Sequence, residues 1–118
     1  MFIPSSKATV LIPTPKDGRP DLRHLFICLN RAMAGLYGDI QDGVMVVGVS
    51  SVHPNGKHDK TCLLYRGDHP FIRHDSYVRY RGCNVHSAAS LLEGVKAGTL
   101  RPHDPVDAAV FARILAGV

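Results

Sequence analysis

Apolar residues fall in short blocks along the first two thirds of the chain and at helical spacing thereafter. Ala8-Thr9-Val10-Leu11-Ile12 is a β-branched block that predicts a strand, with a polar loop from Pro13 to Gly18 behind it. His24 to Leu29 is a compact apolar run bounded by polar residues, the pattern of a buried strand. Val44 to Val49 gives the strongest strand pattern and closes on Ser50-Ser51. Between them, Gly35, Gly38 and Asp42-Gly43 predict a loop over Asn30 to Asp42 with one helical turn. Val52 to Lys60 reads as an exposed loop around Pro54-Asn55-Gly56. Thr61 to Tyr65 reads as a strand, Asp68-His69-Pro70 as a turn and Ser76 to Tyr80 as a further strand. Gly82 is expected to break that strand, and Asn84-Val85-His86 to extend it briefly.

The carboxyl end changes period. Ser87 is a natural N-cap for a helix near 87–97, with Leu91, Leu92 and Val95 as its stripe and Gly98 as its stop. Asp104-Pro105 predicts a second helix start, giving a helix near 104–116 with Val106, Val110 and Ile114 on one face. The expected fold is therefore mainly β with C-terminal helices, a small antiparallel barrel or coiled sheet.

At 118 residues the chain is expected to form one domain, residues 1–118, with enough length for a real core. Hydrophobic residues at 45% and charged residues at 20% fit an ordinary globular protein. The net charge of +4 is compatible with an anionic partner, and Arg66, Arg73, Arg79 and Arg81 are concentrated in one short span. No apolar run approaches the ~20 residues that span a bilayer, and Met1-Phe2-Ile3-Pro4 lacks a secretory pattern, so no membrane association is expected. Cys28, Cys62 and Cys83 are odd in number and lack Cys-x-x-Cys spacing. Free thiols in a reducing cytoplasm are the expectation.

The chemistry concentrates between Arg66 and Tyr80. Strand alternation places Ser76, Val78 and Tyr80 on one face and Tyr77, Arg79 and Arg81 on the other. The second face pairs aromatic and cationic groups, which suits stacked bases and phosphates. His53 and His58 are five apart, as are His69 and His74, but that spacing across Pro-containing loops fixes no common face. No metal or cofactor is expected. Gly-x-Ser-x-Gly, P-loop and dinucleotide motifs are all missing from the sequence, which disfavours Ser hydrolase and nucleotide-driven chemistry. Histidine and arginine instead suit RNA cleavage by its own 2′-hydroxyl. That reaction needs a base, an acid and a cation for the phosphate.

A strand led by Arg23, a strand ending in Ser50-Ser51, the Asp75-Ser76-Tyr77-Val78 strand and a helix carrying Leu91-Leu92 follow one another in this order. From Arg23 to Gly98 this order resembles the MazF/PemK toxin family (the CcdB/PemK-type SH3-like barrel). The resemblance implies an SH3-like antiparallel barrel, a homodimer, cleavage of single-stranded RNA and inhibition by a protein antitoxin. It places the family's basic residue on Arg23, with His24 where a proline is usual. It puts the hydroxyl pair on Ser50 and Ser51, and the Asp-Ser pair on Asp75 and Ser76. The expected catalytic set is thus Arg23, His24, Ser50, Ser51, His69 and His74. The RNA-binding set is His53, Arg73, Asp75, Ser76, Tyr77 and Arg79. The alternative expectation is a non-catalytic barrel of the same fold that binds nucleic acid or a protein partner.

Overall fold

The computed structural model describes residues 2–33 and 42–118. Gly35, Gly38 and the helical turn expected near them lie outside those residues. The elements are β1 (Thr9–Pro13), β2 (Arg23–Cys28), β3 (Gly43–Ser51), β4 (Leu63–Leu64), β5 (Ser76–Ser87), α1 (Ala88–Ala97), β6 (Arg101–His103) and α2 (Ala108–Ala116). The six strands form one antiparallel sheet in the order β4-β5-β3-β2-β1-β6, curled into a half-barrel. No helix among the described residues is long and apolar enough to cross a membrane.

The apolar runs of β2 and β3 are nearly continuous because both faces of these central strands are covered. Leu25, Ile27, Val47 and Val49 face inward, onto Val106, Val110, Phe111 and Ile114 of the α2 region. Cys28, Val44 and Val46 face the other way, onto Ala88 and Leu91 at α1. Each such side chain removed from water contributes about 1.5–3 kcal/mol, so the sheet holds both helices. Gly48 lies beside the Phe26 ring, and a Cβ there would stand 2.9 Å from the ring. Cys28 and Cys62 are buried free thiols and Cys83 is a half-buried one.

The structure differs from the sequence expectations in four places. β5 continues through Gly82 instead of ending there. Val46 pairs with Asn84 and Gly48 with Arg79, so Tyr80 to Cys83 bulge out opposite Val47 alone. The bulge lets the Tyr80 hydroxyl donate to the Ile114 carbonyl of α2 (2.6 Å). The Thr61–Tyr65 strand shrinks to Leu63–Leu64, because Asp59 and Asp68 accept the Thr61 and Tyr65 N–H groups at 2.8 Å each. β6 had no strand signature, since Pro102 sits within it. Proline is tolerated there because β6 pairs only with β1 at the sheet edge.

The second helix starts at an Asp107 cap, whose side chain accepts the Val110 N–H at 2.8 Å, and not at Asp104-Pro105. The segment from Asp104 stays extended because the Asp104 carbonyl accepts from Thr9 Oγ1 (2.7 Å) and from His69, while the Val106 N–H donates to the Lys7 carbonyl (3.0 Å). α1 begins on Ser87, which accepts the Ser90 N–H (2.9 Å), and ends on left-handed Gly98 (φ 82°).

Candidate functional site

Antiparallel pairing brings the start of β2, the end of β3 and the start of β5 to one end of the sheet. Ser50 pairs with Tyr77 and Ser51 with Ser76. β2 pairs with β3 only from Phe26 onward, so Arg23 and His24 lie past that ladder, at the end where β3 closes on Ser50 and Ser51. Arg23, His24, Ser50, Ser51, Ser76 and Tyr77 all line one groove of about 760 Å³ at that end.

Five cationic side chains line the groove: Lys16, Arg19, Arg23, Arg73 and Arg79. His24, His53, His74 and His103 line it as well, together with Ser50, Ser51 and Ser76. No carboxylate does so among the described residues. The one ion pair among those residues, Arg113 to Asp68 (3.2 Å), joins α2 to the turn after β4. A concave wall of one charge sign concentrates field and draws anions such as phosphate.

Lys16 and Arg19 come from the loop between β1 and β2, where their backbones bond in both directions (3.2 and 2.8 Å). Asp17-Gly18 forms the turn between them, with Gly18 at φ 76°. Sequence reasoning left this segment as a polar loop, although two cations flanking Asp-Gly were a readable sign of a hairpin. It also missed Thr14, Phe71 and His103, which only long-range packing brings to the groove.

His24 is half-buried, with Nδ1 hydrogen-bonded to Thr14 Oγ1. Burial lowers its pKa, and the charges of Lys16, Arg79 and Arg19 lower it further, so the ring is neutral at pH 7. Arg23 donates from one guanidinium nitrogen to the Thr99 carbonyl (3.1 Å), which fixes its direction. Arg73, His74 and Arg79 are exposed along the groove.

Several expected site residues have other duties. Tyr77 is only 8% exposed. Its ring packs against His58 and His53 (centroids 5.3 and 5.8 Å), and its hydroxyl shares a hydrogen bond with His53 Nε2 (3.3 Å). It therefore forms groove floor and leaves no free face for a base. Ser76 is buried and donates its hydroxyl to the His74 carbonyl (2.8 Å). Asp75 does not line the groove, and its carbonyl accepts the Val52 N–H (3.0 Å).

His69 is the clearest correction. It is 3% exposed and does not line the groove. Its Nε2–H donates to the Asp104 carbonyl, and its Nδ1 accepts the Phe71 N–H (3.0 Å). Both ring nitrogens are committed, so this histidine braces the fold and has no free position for proton transfer.

That bracing has a pH signature. Burial leads in lowering the pKa of His69, as it does for His24 and His86. The unfolded chain then binds more protons than the folded one, so stability is full above the ordinary value of 6.5 and declines as pH falls below it. Urea midpoints measured from about pH 7.5 down to about pH 5 should therefore fall. His69→Gln should start about 2 kcal/mol lower and show a shallower decline. An equal decline in both proteins would contradict this role. No family model matches this chain, no curated protein is significantly similar to it, and no solved structure matches it.

Proposed function

We propose that the groove binds single-stranded RNA and cuts it through the RNA's own 2′-hydroxyl. One observation carries this reading: among the described residues, five cations and no carboxylate line the groove that contains a neutral His24 whose Nδ1 is held by Thr14. In the tautomer whose Nδ1–H goes to Thr14, Nε2 offers its lone pair to the 2′-hydroxyl proton. The 2′-oxygen attacks the adjacent phosphorus, and the bond to the 5′-oxygen breaks. His74, exposed on the groove, donates the proton that this leaving oxygen needs. The products are a 2′,3′-cyclic phosphate and a 5′-hydroxyl. Arg23 and Arg79 meet the added charge on the phosphate, with Ser50 and Ser51 as hydroxyl donors beside them. In this reading the half-barrel is an SH3-like barrel of the MazF/PemK type. It acts in the cytoplasm as a homodimer restrained by an acidic antitoxin protein, for which a groove lined by five cations is a complementary surface.

A long end-labelled RNA incubated with the purified chain in EDTA should yield discrete fragments ending in cyclic phosphate. RNA that is retained but stays intact would favour the binding-only alternative. That alternative draws on the commitment of Ser76, Tyr77 and His69 to bonds within the protein. Affinity should weaken with salt in either case. Arg79→Ala should reduce the log–log salt slope by about 0.7, the value for one phosphate contact on a single strand. An unchanged slope would remove Arg79 from the contact surface.

A further inference from the structure

Phe71 is an aromatic side chain left 38% exposed at the groove margin, on a backbone that is tightly held. Its N–H donates to His69 Nδ1 (3.0 Å), and the next N–H, from Ile72, donates to the His69 carbonyl (2.9 Å). The His69 ring is in turn tied to Asp104, and Ile72 is buried in the core. The Phe71 ring meets His103 edge-on (6.0 Å, 73°), and His103 packs on His69 (4.8 Å). This buttress fixes the aromatic ring while leaving part of its surface open. A second depression of about 560 Å³ is lined by Arg66, Gly67, His69, Pro70, Ile72 and Arg73. Arg73 lines both depressions. The groove that holds the exposed ring is thus lined with cations, which a nucleic-acid backbone stacking a base there requires for its phosphates.

We propose that Phe71, backed by His103, is a stacking platform for one unpaired base, making the groove selective for single-stranded over duplex nucleic acid. The proposal rests on the nucleic-acid reading above and adds the residue that selects strandedness. A paired base cannot present its face to the ring without leaving its stack, whereas an unpaired one can.

The test uses 2′-O-methyl oligouridylate, which carries no 2′-hydroxyl proton and so cannot be cut by this mechanism. An abasic oligomer of equal length serves as the control. Phe71→Ala should weaken oligouridylate binding by roughly 5- to 150-fold, the range for loss of one stacked base, and leave the abasic oligomer nearly unaffected. The chain contains no tryptophan, so Phe71→Trp introduces a single reporter. Its emission should be quenched by oligouridylate and not by the abasic oligomer. Unchanged affinity in Phe71→Ala, alongside weakening in Arg79→Ala, would overturn the platform while leaving the nucleic-acid reading in place. Equal losses on both oligomers would also overturn it. Failure of the wild-type chain to hold either oligomer at low salt would overturn both readings.

Discussion

In the proposed RNA cleavage, His24→Ala should lower the rate by roughly 10²- to 10⁴-fold, the usual contribution of a positioned general base, while RNA affinity changes little. The ring contributes no permanent charge to the groove, because burial and then Lys16, Arg79 and Arg19 hold it neutral. Its removal therefore deletes a proton acceptor and spares the cations that line the groove. The pH profile supplies an independent check. A base with a lowered pKa stays unprotonated below the ordinary value of 6.5, so the rate should hold as the medium becomes mildly acidic and fall only on further acidification. Lys16→Ala removes one of the charges that disfavour the imidazolium, and the acidic limb should then move up toward the ordinary value. Cleavage by His24→Ala at the wild-type rate would eliminate His24 as the base. An acidic limb insensitive to Lys16 would break the electrostatic account.

The second large effect concerns the fold that supports the groove. Ile114→Ala should destabilise the chain by about 3–4 kcal/mol, within the usual range for deleting a fully buried branched side chain. Ile114 is 0% exposed within the cluster that joins α2 to β2, β3 and β5. α2 has nine residues, too few to be stable alone, so its helicity depends on that docking. The Ile114 carbonyl also accepts the Tyr80 hydroxyl from the β5 bulge, so the cavity would loosen a bonded contact as well as an apolar one. The melting temperature should drop by more than about 10 °C, taking about 4 °C per kcal/mol for a domain of this size. Leu92→Ala, on α1 and 44% exposed, should cost less than about 0.5 kcal/mol and serves as the control. Similar urea midpoints for Ile114→Ala and wild type would show that α2 does not hold the sheet.

Much of the strand layout was legible because burial repeats at short range. The runs His24 to Leu29 and Val44 to Val49 coincide closely with β2 and β3, whose two faces are both covered. α1 was legible at both ends because Ser87 and Gly98 act on backbone groups within their own turn. Asp104-Pro105 misled for the opposite reason. Its local capping chemistry is sound, but Thr9 and His69 bind the Asp104 carbonyl from distant points in the chain and hold that segment extended. The density of histidine and arginine around Arg73 rightly drew attention to one region. It could not separate His74, which lines the groove, from His69, which is buried five residues earlier.

Taken alone, the sequence determined the central strands, the first helix and a supply of cations and imidazoles, since each of these follows from neighbours within a few positions. Which of those groups share a groove depends on contacts between segments far apart in the chain. Strand register pairs Ser50 with Tyr77 in the groove that His24 also lines, and the turn at Asp17-Gly18 brings Lys16 and Arg19 to it. Tertiary packing also makes His69 and Ser76 serve the fold, because a buried polar group must spend its hydrogen bonds on whatever partners the packing provides.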